Sequence, residues 1–172
     1  MELSPTARVL LGMIRKGHRT GYEIKQLVDV STRFFWAASY GQIYPELRRL
    51  EAAGLIEGED DPTGGRQRRA YTLTPAGDAA LDEWLRSDEQ TTYELRDEAL
   101  LKLFFSDELT KQERLRVIRQ MRSRHQAVVD GLRSIEEVAA AAGGAPYTTL
   151  RFGLEMHSWA VDWCREQEAE LE

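Results

Sequence analysis

Helix-capping side chains, a change of hydrophobic period near residue 55, and a long apolar seam after residue 110 together predict a mainly α fold. The first half reads as three short helices, a β-hairpin and a closing helix, which is the layout of a winged helix-turn-helix with a small β-hairpin wing. The second half reads as a C-terminal helical dimerisation domain. The expected division is residues 1–90 and residues 91–172.

Each element has its own signal. Ser4-Pro5 sets an N-cap before a proline at the first helical position, where a missing N–H costs nothing. Val9, Leu10, Met13 and Ile14 follow at helical spacing, and Gly17 stops the run. Thr20-Gly-Tyr-Glu23 is a capping box that opens a second helix, with Ile24, Leu27, Val28 and Ser31 inward. Ser39-Tyr-Gly-Gln42 opens a third, with Ile43, Leu47 and Leu50 inward and Gly54 as its stop. Pro45 removes a backbone donor inside that helix, so a tightened or kinked start is expected. Residues 55–59 and 66–73 alternate as strands around the turn-rich Asp60-Asp-Pro-Thr-Gly-Gly65 tip. Thr74-Pro75 repeats the cap-plus-proline signal before a helix bearing Ala79, Ala80, Leu81, Trp84 and Leu85.

Beyond residue 97 the chain is helical. Leu100, Leu101, Leu103, Phe104 and Phe105 crowd one segment, and Thr110-Lys-Gln-Glu113 is another capping box. Ile118, Met121, His125, Val128, Leu132, Ile135 and Ala139 then alternate three and four apart, the spacing of a coiled-coil seam, with His125 as a register-fixing polar residue in a dimer. Gly143-Gly144-Ala145-Pro146 reads as a flexible break. A last helix from about Tyr147 carries Leu150, Leu154, Trp159, Trp163 and Leu171.

Bulk composition narrows the class. The 172 residues are 42% hydrophobic and 30% charged, enough for one ordinary core or two small ones. No apolar run approaches the roughly 20 residues that span a bilayer. The first residues lack a signal-peptide layout, and the lone Cys164 suits a reducing compartment, so a cytoplasmic, membrane-free protein is expected. The net charge of -6 is unevenly spread. Residues 1–86 hold twelve Lys/Arg and twelve Asp/Glu, while residues 87–172 hold eleven and seventeen. The acidity belongs to the second half, and the first is free to meet phosphates with local basic spots.

Those spots lie on two neighbouring elements. At about 100° per residue, the face of the third helix opposite Ile43, Leu47 and Leu50 holds Gly41, Pro45, Arg48 and Ala52. Gln42, Tyr44 and Arg49 flank it. Small residues let a helix approach a groove, arginines reach phosphates or guanine edges, and glutamine pairs with adenine. Arg66, Arg68 and Arg69 lie beside the Gly64-Gly65 tip, where a wing would follow the DNA backbone. The competing reading is a solvated helix face with two arginines; Tyr44 packs equally well against the core, and Pro45 serves geometry as well as contact.

The run Trp36-Ala-Ala-Ser-Tyr-Gly-Gln-Ile-Tyr-Pro-Glu-Leu-Arg-Arg-Leu-Glu51, with Gly54-Leu-Ile and Gly65-Arg-Gln-Arg-Arg-Ala-Tyr-Thr-Leu-Thr-Pro-Ala-Gly77, resembles the PadR family of transcriptional regulators. Ile-Tyr-Pro-x-Leu-x-x-Leu-Glu is the specific part, and Arg-x-Tyr-x-Leu-Thr-x-x-Gly is shared with other winged-helix repressors. The likeness is strong to about residue 85. Residues 97–172 resemble less specifically the C-terminal domain of longer members. It implies a homodimeric repressor that binds a double-stranded DNA operator, with Tyr40, Gln42, Tyr44 and Pro45 in the reading helix and the wing on the backbone. Phe34-Phe35-Trp36 is heavier in aromatics than the pattern leads one to expect, and the final helix carries no motif that identifies an effector.

Other chemistries find less support. His18, His125 and His157 are scattered and fall in no metal-ligand spacing, so neither an enzyme nor a metal or cofactor is expected. His157 and Cys164 share a helical face seven residues apart, the remaining metal alternative. Trp36, Trp159 and Trp163, among many large rings, either fill the core and dimer interface or line a cavity for a small aromatic effector. The rival function is a winged-helix module for protein–protein contact without DNA.

Overall fold

The computed structural model describes residues 3–61, 68–88 and 95–172. The chain divides into two compact units, Met1–Gln90 and Thr91–Glu172. The first contains helices α1 (Pro5–Arg15), α2 (Gly21–Val30) and α3 (Tyr40–Ala52), strands β1 (Ile56–Asp61) and β2 (Arg68–Leu73), and helix α4 (Pro75–Arg86). The second contains α5 (Glu98–Phe104), a 3-10 turn (Ser106–Glu108), α6 (Lys111–Ala142) and α7 (Gly144–Leu171). This is a winged helix-turn-helix followed by C-terminal helices.

The caps act as the sequence leads one to expect. Ser4 Oγ accepts the Ala7 N–H at 3.0 Å, and Thr20 Oγ1 accepts the Glu23 N–H while Glu23 accepts from the Thr20 backbone. Thr74 Oγ1 accepts the Gly77 N–H at 3.1 Å. Satisfying these orphan donors is worth about 1 kcal/mol per cap. The apolar stripes of α1, α2 and α3 meet in one core, where Leu10, Leu11, Ile24, Val28, Ile43, Leu47 and Leu50 are fully buried. Each such side chain contributes roughly 1.5–3 kcal/mol by leaving water.

The two strands are antiparallel, in register from Ile56 opposite Leu73 to Asp61 opposite Arg68. β1 begins at Ile56 rather than Leu55 and runs two residues beyond Glu59, while β2 ends at Leu73 as expected and its expected first residues, Arg66 and Gln67, lie outside the described residues. Leu55 is taken up by the turn, where its carbonyl accepts the Thr74 N–H at 3.1 Å. The hairpin is anchored at its base. Tyr71 N–H donates to the Arg19 carbonyl at 2.7 Å, and Thr20 bridges Ala70, so the loop before α2 lies along β2. Gly77 lets α4 close on this base, since a Cβ there would sit 1.9 Å from the Leu55 oxygen.

In the second unit α6 and α7 form an antiparallel hairpin. Gly143, at φ 65°, is the one residue between them, and α7 starts at Gly144. The expected flexible break at residues 143–146 is therefore a tight reversal. Two glycines at positive φ turn the chain, and Pro146 fits in the first turn of α7, where its N–H is not needed. The seam of α6 packs inside its own chain: Ile118, Met121 and Leu132 are buried, with Val129 rather than Val128 on the buried line. From α7 come Leu150, Gly153, His157, Ala160, Val161 and Cys164. Arg122 and Arg119 on α6 hold Glu168 and Glu172 at the end of α7, with Arg122 Nε 2.7 Å from Glu168 Oε1. That seam is satisfied by α7 and is not itself evidence of a dimer.

Candidate nucleic-acid interface

Helix α3 owes its exposed face to the depth of its buried one. With Ile43, Leu47 and Leu50 inward, the outer face carries Tyr40, Gly41, Gln42, Tyr44, Pro45, Arg48 and Arg49, all exposed. The helix runs unbroken through Pro45, which stands on this outer side; the proline ring replaces one backbone donor and leaves a smooth, small surface.

Two tyrosines head the face. The rings of Tyr40 and Tyr44 stack at 5.9 Å between centroids and 16° between planes. Lys25 on α2 brings its Nζ to 5.5 Å from the Tyr40 ring centre while pairing with Asp29. The Lys25 ammonium holds the Asp29 carboxyl below the usual carboxylate range. Behind them Gly21 leaves room for Tyr44, whose Cε1 would lie 2.8 Å from a Cβ at that position. Lys25 went unnoticed in the sequence, because nothing in spacing links the middle of α2 to the first turn of α3.

The polar residues divide by what already holds them. Gln42 turns back on its own helix: its Oε1 accepts from the Ser39 N–H at 2.9 Å and from the Ser39 hydroxyl at 3.1 Å. Its amide NH2 remains the group it can offer outward. Arg49 Nε donates to Glu46 Oε2 at 3.0 Å, and Glu46 Oε1 also accepts the Ser4 hydroxyl at 2.6 Å, tying α3 to the start of α1. The Arg49 guanidinium depresses the Glu46 carboxyl pKa, and Glu46 in turn raises that of Arg49. Arg48 is exposed and forms no ion pair among the described residues. It is the cation of α3 most available to a ligand.

The wing arginines differ too. Arg69 reaches across the hairpin, with Nη1 3.1 Å from Asp60 Oδ1 and with Nε and Nη2 on Glu51 Oε1 at the end of α3. Glu51 raises the pKa of Arg69 as the leading cause. Arg68 belongs to β2 by its backbone, and its side chain lies outside the described residues, as do Arg66 and the Gly64-Gly65 tip. The carboxylate partners Glu46 and Glu51 were not singled out in the sequence. The first was visible as an i, i+3 pair with Arg49; the second spans eighteen residues and was not.

The tryptophans named for an effector belong to different units of the chain. Trp36 precedes α3 in the first unit and is 39% exposed. Trp159 and Trp163 lie on α7, where Trp163 packs beside Ile118, Met121 and Cys164. Trp159 is 67% exposed. The buried stripe runs through His157, and two residues on, about 200° around the helix, the side chain faces away. His125 has a partner within the chain: its Nδ1 lies 2.7 Å from His157 Nδ1. Burial, with the neighbouring His125, lowers the His157 pKa to about 4. Cys164 is fully buried, and burial pushes its thiol pKa up, away from reactivity. Among the described residues no three His, Cys, Asp or Glu side chains converge as a metal site requires. None of the described helices is long and apolar enough to cross a membrane.

A winged helix-turn-helix with an exposed, arginine-bearing third helix defines the class of transcriptional regulators. Comparison with known proteins names the family. Residues 10–83 match the transcriptional regulator PadR-like family, and residues 95–172 match the domain described as virulence activator alpha C-term. The chain is 32% identical to the negative transcriptional regulator PadR of Bacillus subtilis over 146 residues, 84% of this chain and 80% of that protein. The chain belongs to the PadR-like family and is a transcriptional regulator rather than an enzyme. Its fold superposes on the crystal structure of Bacillus subtilis PadR in complex with operator DNA with a TM-score of 0.86, at 27% identity and full coverage of both chains. The crystal structure of the same protein in complex with p-coumaric acid gives 0.73 at 27% identity, covering 98% of this chain and 97% of that one.

Proposed function

We propose that this regulator is a homodimeric repressor that reads a two-fold symmetric operator with α3 and is released from it by a small aromatic effector. The observation that carries the reading is the outer face of α3: Arg48 exposed and outside any described ion pair, beside the stacked Tyr40 and Tyr44 and the smooth strip of Gly41 and Pro45. Such a face offers a guanidinium to a guanine edge, ring faces and methyl-sized contacts to bases, and the Gln42 amide to an acceptor. Arg66 and Arg68 sit in sequence where a wing meets phosphates, and Arg49 supports the helix from its flank. The operator complex of the relative supports this assignment.

Dimerisation rests on the second unit. Leu101, Phe104 and Phe105 around α5, and Phe152 and Trp159 on α7, are more than half exposed, a larger apolar display than an isolated unit ordinarily carries. A second copy covering them would supply a second reading helix for an operator whose half-sites lie about 34–36 Å apart, one turn of DNA. The relative's complex with p-coumaric acid supports an aromatic effector, with Trp36, Trp159 and Trp163 as the rings to watch. The test is direct. Purified protein is titrated with selected DNA fragments over a salt series, with and without phenolic acids. Sequence-preferring, strongly salt-dependent binding supports the reading; no binding at low salt removes it and leaves a protein-contact module.

A further inference from the structure

Two motif segments of this sequence, Ile43 to Glu51 and Arg69 to Gly77, meet through their charged ends. Arg69 starts on β2, crosses the hairpin and lays Nε and Nη2 on Glu51 Oε1 at the last turn of α3, with Nε at 3.2 Å. Its Nη1 donates to Asp60 Oδ1 of β1 at 3.1 Å. The lane it crosses is kept open by Gly58, where a Cβ would stand 2.5 Å from Arg69 Nε, 2.8 Å from Glu51 Oε1 and 2.9 Å from Tyr71 Cε1. One guanidinium therefore joins three elements: the end of α3, β1 and β2. A fork of fixed geometry holds an angle in a way that a single ammonium does not.

We propose that Glu51 and Arg69 act as a strut that sets the wing relative to α3, so that Arg69 is a positioning residue and not a phosphate contact. The proposal rests on α3 and the wing binding DNA together, as set out above, and it changes the role of one arginine within that surface. A guanidinium with Nε, Nη1 and Nη2 all engaged by carboxylates has most of its donors committed before DNA arrives. Pulling it onto a phosphate would strip Glu51 of its cation beside a polyanion. Held as a strut, it costs no counterion exchange and delivers its effect through wing geometry.

The strut and a simple phosphate contact make opposite forecasts. If Glu51 were only a negative charge near the interface, Glu51→Gln would tighten DNA binding at low salt. As half of a strut, its loss frees the wing, and operator affinity falls by about tenfold, the size expected for coupled groups. The double variant Glu51→Gln/Arg69→Gln removes one charge of each sign. It binds no more weakly than the single variants and keeps the wild-type slope of log K against log salt. Loss of a phosphate contact would lower that slope by about 0.9. Gly58→Ala alters no charge, yet blocks the lane and gives the same loss of operator affinity.

A second measurement needs no DNA. Amide hydrogen exchange on the intact protein should show faster exchange along β1 and β2 in Glu51→Gln and in Gly58→Ala, with α1 and α3 unaffected. Tighter operator binding by Glu51→Gln, a slope reduced by a full phosphate in the double variant, or unchanged wing exchange would each overturn the strut. Failure of the wild-type protein to bind any DNA would instead fall on the functional reading, and the exchange experiment would still decide whether the strut exists.

Discussion

The two units bury their apolar residues by different means. In the first, the stripes of three helices, Ile56 of β1 and α4 converge on a shared core, and Tyr71 of β2 closes it from the hairpin. In the second, α7 covers one face of α6, and α5 packs its Ala99 and Leu103 against that pair, leaving Leu101, Phe104 and Phe105 in the open. The first is a finished unit whose polar outer face is available for recognition. The second is a hairpin with apolar surface left over, which is the condition for meeting another surface. The proposed function divides along the same line: charge and shape on α3, apolar area on α5 and α7.

The sharpest way to break this contrast is to put a charge in the hairpin. Leu132 is buried between α6 and α7, so Leu132→Asp leaves an uncompensated charge there and should cost roughly 3–5 kcal/mol. Urea unfolding should show residues 91–172 losing stability while the winged helix keeps its own transition. A variant that only loses dimerisation, with the hairpin as stable as before, would mean that Leu132 faces a partner chain.

Acid should act on the same hairpin. The unfolded chain titrates His157 near its ordinary 6.5, whereas the folded one holds it near 4 by burial beside His125. Between those values the unfolded state binds the extra proton, so stability is full above about pH 6.5 and falls as the pH drops towards 4. The loss, complete below about pH 4, is roughly 3 kcal/mol. His157→Gln should flatten that pH dependence in thermal unfolding; an unchanged profile would show that other groups govern it.

The finished unit is more sensitive to volume than to charge. Gly77→Ala would drive a Cβ against the Leu55 carbonyl oxygen, 1.9 Å away, and force α4 off the hairpin base. The expected cost is about 1–3 kcal/mol, read as a lower unfolding midpoint of residues 1–90. No comparable glycine constrains α6, since a Cβ at Gly131 meets nothing within 4 Å, and Gly131→Ala should be neutral or mildly stabilising.

The same contrast explains what could be read in the sequence. Capping boxes and local apolar spacing located α1 to α4 because both signals act within a few residues. The spacing of Ile118 to Leu132 located α6 equally well, but a seam does not state its partner. Here the partner was α7 of the same chain, brought back by a turn at Gly143 that composition alone made look loose. The side taken by Trp159 stayed open for a related reason: an aromatic residue on a helix has no sign of which side it takes until the buried stripe is fixed. On the interface, exposure of Pro45 and Arg48 followed from the wheel, which left Tyr44 at the edge, while Tyr40 entered through the family resemblance. The engagement of Arg69 by Glu51 depended on tertiary folding and was invisible to spacing.

The central claim is that the outer face of α3 reads DNA, and Arg48→Ala tests it most directly. Arg151 and Arg165 on α7 are the controls, each exposed and paired within its own helix, to Glu155 at 3.0 Å and Asp162 at 2.8 Å. Binding of each variant to the preferred operator and to random DNA should be measured at several salt concentrations. Arg48→Ala is expected to lose about 1–3 kcal/mol on the operator and little on random DNA, while Arg151→Ala and Arg165→Ala match the wild type on both. Equal losses for Arg48→Ala and the two controls would contradict the account, placing the DNA surface elsewhere on the molecule.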